Sequence, residues 1–171
     1  TFTYVRQQKM LGLGDAILTG EPLIGDEAFA VILADDLCSN SEEGVIGQMI
    51  EKYKQYKCSI VAIQEVSDSE ISNYGIVDGS LIDNSKDIYQ VSNMVEKPSK
   101  EESPSNMAII GRYILTPDIF DILRGIKVDK GGELQITDAL LEQAKNGKVI
   151  GFKFKGKRFD CGNVIGHIKA T

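Results

Sequence analysis

The order strand, helix, strand between Phe29 and Val66 constrains this chain more than any other feature. Phe29 to Leu33 is a continuous apolar run that stops at Asp35-Asp36. An unbroken run of that length reads as a parallel strand buried on both faces. From Glu42 to Tyr56, apolar Val45, Ile46, Met49, Ile50 and Tyr53 recur at helical spacing. Ser59 to Val66 is again strand-like. Two strands joined by one amphipathic helix form a βαβ unit with a right-handed crossover, which sets the class as α/β.

The flanking segments add smaller elements. Thr1 to Val5 is rich in β-formers and reads as a strand. Gly12-Leu13-Gly14-Asp15 opens a short helix over Ala16 to Thr19, with Asp15 as N-cap. Gly75 to Val77, Ser80 to Ile82 and Ile88 to Val95 read as short strands separated by Asp-Gly and Asp83-Asn84-Ser85 turns. Met107 to Leu115 is a strand. Thr116-Pro117-Asp118 starts a helix with Thr as cap and Pro at the first helical position. Leu134 to Lys145 is helical and ends at Asn146-Gly147; Lys148 to Phe154 is a strand and Asn163 to Ala170 a closing helix. Without a repeat or a linker, and with 42% hydrophobic residues, residues 1–171 are expected to form one domain. Its sheet is expected to be mostly parallel and Rossmann-like, flanked by helices, with a few added antiparallel strands.

Composition narrows the chemistry. Lys and Arg number 19 against 25 Asp and Glu, a net charge of −6. That balance argues against a nucleic-acid binder but leaves room for a phosphorylated small molecule met by a few placed cations. No apolar run approaches the roughly 18 residues of a membrane span. The scattered Cys38, Cys58 and Cys161 make neither a disulfide framework nor a zinc site, and a reducing cytoplasm is expected. With His167 as the single histidine, carboxylates, lysine and a metal ion are left to do any chemistry.

Four segments can carry it. Gly12-Leu13-Gly14 before a helix either admits a base or phosphate to backbone N–H groups or is only a tight turn. Asp35-Asp36 beyond a strand end suits Mg²⁺, a hard ion that prefers oxygen ligands, with alternation aiming only one of the two acids at it. The other reading is an acid pair capping a turn. At Val95-Glu96-Lys97-Pro98, Pro98 is expected to hold Lys97 extended. Glu96 would accept from sugar hydroxyls and Lys97 would meet a phosphate, or the two form an ordinary surface pair. Asp160 in Asp160-Cys161-Gly162 offers a second metal carboxylate. The basic run before it, Lys155, Lys157 and Arg158, reads as a solvated hairpin.

Taken in order, Val5-Arg6-Gln7, Gly12-Leu13-Gly14, Val31 to Asp36, Tyr74-Gly75-Ile76-Val77, Val95 to Pro98, Pro104 to Tyr113, Gly132 to Asp138 and Asp160-Cys161-Gly162 closely resemble the bacterial UTP–glucose-1-phosphate uridylyltransferases. The resemblance implies a nucleotidyltransferase fold making UDP-glucose and pyrophosphate from UTP and glucose-1-phosphate. It implies Gln7 and Gly12 at the uracil, and Gly75, Glu96 and Lys97 at the glucosyl phosphate, with Lys97 on the phosphate. It places Asp35 on Mg²⁺, with Asp160 near the metal. It also implies a homo-oligomer for the intact enzyme. The family's N-terminal segment G-x-G-T-R-x-x-P-x-T-K does not occur here, so the chain reads as N-terminally truncated and, by itself, inactive. Leu11 and Asp15 stand where many relatives carry Lys and His. Transfer from dTTP or CTP, or a non-catalytic sugar-phosphate or nucleotide-sugar binding module of the same fold, are the alternatives the sequence leaves open.

Overall fold

The computed structural model describes residues 1–40, 42–82 and 84–171. Asp83, and with it part of the expected Asp83-Asn84-Ser85 turn, lies outside them.

Two helices match their apolar periodicity closely: α2 (Val45–Tyr56) and α4 (Ile136–Lys145), with α3 (Asp118–Gly125) before the latter. α1 (Leu13–Ile24) is longer than expected, because Leu13, Ile17 and Leu18 continue an apolar face packed on the core. Its cap is Gly12, at φ 89°, and Asp15 falls in the first turn instead. Pro22 sits in the last turn, and Gly25 ends the helix at φ 66°. α5 (Val164–Ala170) is capped by Asn163, whose side chain accepts from the Gly166 N–H at 2.8 Å.

The strands are β1 (Phe29–Ile32), β2 (Asp36–Ser39), β3 (Ser59–Glu65), β4 (Gly75–Leu81), β5 (Ile88–Glu96), β6 (Met107–Leu115), β7 (Val149–Lys153) and β8 (Lys157–Asp160). Six form one sheet in the order β1-β6-β3-β7-β5-β4, and β2 pairs with β8 in a separate ribbon. The α/β class and the helix-flanked central sheet match the expectation. The strand directions do not: among the described residues, only β3 with β7 runs parallel. β1 and β3 do run the same way, as a βαβ unit requires, but β6 lies between them antiparallel to both. An apolar run reports burial on two faces and carries no information on direction, which is why β6 was not foreseen there. β1 is a partly exposed edge strand rather than a buried central one. Thr1 to Val5 is not a strand either; it is irregular and exposed, because no described strand pairs with it.

Side-chain alternation divides the core into two layers. On β3, Val61 and Ile63 face α1, α3 and α4, where they meet Ile119, Leu123 and Leu140. Ile60 and Ala62 face the opposite way, onto Val45 and Met49 of α2. The same division runs through β6, with Ile109 and Tyr113 on the first side and Ile110 and Ile114 on the second.

One irregularity of the sheet creates the site. β3 covers one edge of β6 from Met107 to Ile114. The other edge is shared: β1 pairs with Arg112 to Leu115, and the start of β4 pairs with Met107 and Ala108. On that edge the β6 backbone between the two pairings, residues 109–111, has no strand neighbour. The end of β1 and the beginning of β4 face each other across that gap, which is where a cleft opens.

Candidate active site

The cleft has a volume of about 350 Å³ and is floored by Ile109, Gly111 and Tyr113 of β6. Asp35, Asp36, Arg158 and Asp160 line it on the β1 side. Tyr74, Gly75, Glu96 and Lys97 line it on the β4–β5 side, and Glu133, Gln135 and Thr137 on the approach to α4. Five of the seven residues to which the resemblance assigned roles therefore share one cavity: Asp35, Gly75, Glu96, Lys97 and Asp160.

The adjacent acids Asp35 and Asp36 have separate surroundings. Asp36 is 5% exposed. Its Oδ1 accepts from Arg158 Nε at 2.5 Å, and its Oδ2 accepts from the Gly111 N–H at 2.6 Å, in the gap along β6. Asp35 is exposed, and its carbonyl accepts from the Cys161 N–H at 2.7 Å. That bond continues the antiparallel pairing of Asp36 with Asp160 and brings β8 alongside. A Cβ placed on Gly162 would lie 3.1 Å from both Asp35 Oδ2 and Asp160 Oδ1. The two carboxylates thus converge on one small space that a side chain at position 162 would fill. Oxygen-only ligands around a free space suit a hard divalent cation completed by ligand oxygens. Among the described residues, no group of three or more His, Cys, Asp or Glu side chains could hold a metal, so any ion here must draw further ligands from substrate or water.

Across the cleft, the Thr137 hydroxyl donates to Glu96 Oε2 at 2.6 Å. Gly75 makes this contact possible: a Cβ there would stand 3.0 Å from Glu96 Oε2 and 3.1 Å from Thr137 Oγ1. Lys97 is not extended, as Pro98 had suggested, but adopts φ 44°. Its N–H donates to the Tyr74 carbonyl at 3.0 Å, which holds it in this left-handed conformation against the general bias for a residue before proline. The consequence is chemical. In a regular strand Glu96 and Lys97 would face opposite ways; the left-handed residue breaks the alternation, and both line the cleft. Their charges stand 3.8 Å apart, with 59% of the Lys97 side chain open to solvent.

Gln7 and Gly12 do not line this cavity. The Gln7 amide donates to the Gly12 carbonyl at 3.1 Å and to Asp15 Oδ2 at 2.7 Å, so the two residues form one small unit at the entry to α1. The glycines here make room for protein. A Cβ on Gly12 would meet Glu133 Cβ at 3.0 Å, and one on Gly14 would meet the Leu134 carbonyl at 2.7 Å and Leu123 Cδ2 at 2.8 Å. Leu134 is bound to Leu11 and Gly14 by hydrogen bonds of 2.7 and 2.9 Å, which fasten the α1 entry to the Glu133–Thr137 wall. Alanine in place of a helical glycine ordinarily stabilises by about 1 kcal/mol. At Gly14 the contact with Leu134 should reverse the sign, and Gly14→Ala should cost about 1–3 kcal/mol in urea unfolding. An unchanged or raised midpoint would show that the Leu134 segment yields freely.

The sequence reading missed Tyr74 and Thr137 as side chains of the site and misread Arg158. The run Lys155, Lys157, Arg158 is not uniformly solvated: the Arg158 side chain is 9% exposed. Strand alternation from Asp160, two residues on, is the signal that could have turned it inward. Burial alone would lower the Arg158 pKa, but hydrogen bonds to Asp36 and Tyr74 outweigh it and hold the guanidinium firmly charged. Burial raises the Tyr113 phenol far above its ordinary value, helped by the charges of Glu96 and Asp36, so it stays protonated on the cleft floor.

Similarity to known proteins agrees with this arrangement. A UTP–glucose-1-phosphate uridylyltransferase of Pseudomonas aeruginosa is 61% identical over 172 residues, spanning 100% of this chain and 61% of that protein. A crystal structure of UDP-glucose pyrophosphorylase complexed with UDP-glucose superposes with a TM-score of 0.95 at 56% identity, over 99% of this chain and 64% of that one. A UTP-bound enzyme of the same kind from Acinetobacter baumannii gives 0.83 at 32% identity, over 97% and 57%. The chain thus spans less than two thirds of the length of these relatives. The family model described as Nucleotidyl transferase matches residues 1–171, and with the sheet and cleft already in place this chain belongs to the nucleotidyl transferase family.

Proposed function

We propose that this chain carries the sugar-phosphate end and the metal carboxylates of an enzyme that makes UDP-glucose and pyrophosphate from UTP and glucose-1-phosphate. The observation that supports this best is the single cleft in which Asp35 and Asp160 face Glu96 and Lys97, in a chain 61% identical to a protein named for that reaction. A phosphate oxygen of glucose-1-phosphate attacks the α-phosphorus of UTP, the bond to the bridging oxygen of the β-phosphate breaks, and pyrophosphate leaves. No protein nucleophile is required, so the residues act by alignment and charge.

Lys97 holds the sugar phosphate as a point charge. Glu96, fixed by Thr137, accepts from a glucose hydroxyl, and Gly75 keeps the sugar close to the strand. Asp35 and Asp160 fit Mg²⁺ by their donor chemistry and by the space that Gly162 leaves between them; the bound ion supplies neutralisation of phosphate charge. The α1 entry with Gln7 and Gly12 is the proposed uracil end. A homo-oligomeric assembly and a cytoplasmic setting belong to the same reading. Among the described residues, no helix is long and apolar enough to cross a membrane.

Isothermal titration with UDP-glucose and UDP-galactose tests the sugar site. The wild-type chain should prefer UDP-glucose, and Glu96→Gln should narrow that preference about 3- to 10-fold, since the amide oxygen still accepts and only the difference between a charged and a neutral acceptor, about 1 kcal/mol, is lost. Equal binding of both sugars by the wild type would remove Glu96 from sugar recognition. Preference for a thymidine or cytidine diphosphate sugar would move the donor to dTTP or CTP. UDP-glucose binding without uridylyl transfer, in a longer chain that carries the N-terminal Gly-rich segment, would favour the binding-module reading.

A further inference from the structure

Resting on that reading, we propose that Arg158 and Tyr74 are positioning residues that aim the Asp160 carboxylate at the metal and tie it to the lysine that grips the sugar phosphate. The Tyr74 hydroxyl donates to Asp160 Oδ2 at 2.7 Å and accepts from Arg158 Nη1 at 3.1 Å. Arg158 Nη2 lies 3.5 Å from the same Asp160 Oδ2, and the guanidinium stacks over the Tyr74 ring, 4.9 Å from its centroid. One hydrogen-bond donor and one cationic group therefore address the same carboxylate oxygen. The other, Oδ1, accepts from the Gly162 N–H at 3.1 Å and is the oxygen that faces the space shared with Asp35. An unrestrained Asp carboxylate rotates about a soft torsion; here the tyrosine and arginine choose which oxygen the ion meets.

The same pair sorts the carboxylates of the site. Asp35, Asp36 and Asp160 bring three carboxylates to this side of the cleft, and the Arg158 guanidinium lies against two of them, Asp36 and Asp160. Arg158 is committed to Asp36, whose remaining oxygen is taken by the Gly111 N–H. Asp35 and Asp160 are then the two carboxylates with an oxygen toward the shared space, where a divalent ion would meet them. Tyr74 also acts through its backbone: its carbonyl accepts from the Lys97 N–H. One residue thus fixes the metal carboxylate through its side chain and Lys97 through its main chain.

The test is Mn²⁺ binding, followed by the electron paramagnetic resonance signal of the free ion, on the purified chain and on Tyr74→Phe, Arg158→Lys and Arg158→Met. UDP-glucose titration without metal and thermal unfolding are run on the same samples. Removing an outer partner of a metal ligand typically weakens metal binding about 10- to 100-fold. Tyr74→Phe and Arg158→Met should show that loss, and in Tyr74→Phe it should exceed any change in metal-free UDP-glucose binding by at least about tenfold. Arg158→Lys, which keeps the charge and loses the fork, should fall between wild type and Arg158→Met. Should Arg158→Met not fold, Tyr74→Phe decides, because it removes one hydroxyl and keeps the ring. Unchanged Mn²⁺ affinity in Tyr74→Phe overturns the proposal. So does a parallel fall in Mn²⁺ binding, UDP-glucose binding and melting temperature in Tyr74→Phe, which leaves the buried Arg158–Asp36 pair intact and would mark a merely structural role. A wild-type chain that binds UDP-glucose and no Mn²⁺ overturns the proposal while leaving the nucleotide-sugar site standing. Mn²⁺ binding lost in Tyr74→Phe, in a chain that ignores UDP-glucose, supports the positioning pair and sinks the sugar reading instead.

Discussion

Asp36→Asn should destabilise the fold by about 3–5 kcal/mol, whereas Asp35→Asn, one residue away, should leave stability unchanged and abolish metal binding. The difference lies in what each carboxylate touches. The Asp36 side chain is 6% exposed, and its partner Arg158 is 9% exposed. Replacing the carboxylate by an amide leaves the guanidinium as a buried charge that Asp160, at 3.5 Å and one third exposed, compensates only in part. The melting temperature should fall by roughly 6–20 °C on the scale of a domain this size. Asp35, by contrast, is exposed, and the contact its carbonyl makes with Cys161 survives the change to asparagine. Its carboxylate charge is needed only where a cation is held. Differential scanning calorimetry paired with Mn²⁺ titration separates the two effects. A destabilised Asp35→Asn beside a stable Asp36→Asn would mean that the ligand and the structural acid have been exchanged.

What could be read in advance, and what could not, follows from which forces leave a trace in sequence order. β6 and α4 were legible almost to the residue, β6 because it is a long, mostly apolar strand buried on both faces and α4 because its buried positions recur at helical spacing and its end carries the turn chemistry of Asn146-Gly147. β2 and β8 were not legible. They are four-residue strands, Asp-Leu-Cys-Ser and Lys-Arg-Phe-Asp, too short and too polar to show alternation, and they exist because each pairs with the other across more than a hundred residues of chain. Strand direction was equally hidden: the insertion of β6 between β1 and β3 is a long-range pairing that no local pattern announces. In the site, the acid pair and Glu96-Lys97 stood out as charged residues at strand ends. The division of labour between Asp35 and Asp36 did not, since it depends on Arg158 and Gly111 arriving from distant strands. Pro98 misled for a related reason. Its preference for an extended predecessor is a local bias of a few kcal/mol at most, and the tertiary bond from Lys97 N–H to the Tyr74 carbonyl overrides it.

That override supports the second large prediction. Lys97→Ala should weaken UDP-glucose binding about 30- to 150-fold, the equivalent of about 2–3 kcal/mol for one lost charge-assisted contact to phosphate. It should leave the fold nearly untouched. Its ion pair with Glu96 is long, at 3.8 Å, and mostly solvated on the lysine side, so it contributes little to stability. Lys97→Gly sharpens the argument. At φ 44° a side chain is strained and glycine is not, so this variant should gain about 1 kcal/mol of stability while losing UDP-glucose as completely as alanine does. A residue that weakens the fold and strengthens the ligand is strain kept for function, since it turns Lys97 to the same side as Glu96. Titration calorimetry and urea unfolding on the two variants measure both quantities. A loss of affinity below about threefold, under about 1 kcal/mol, would remove Lys97 from the phosphate site. A glycine variant no more stable than wild type would show that the left-handed turn at Lys97 carries no strain.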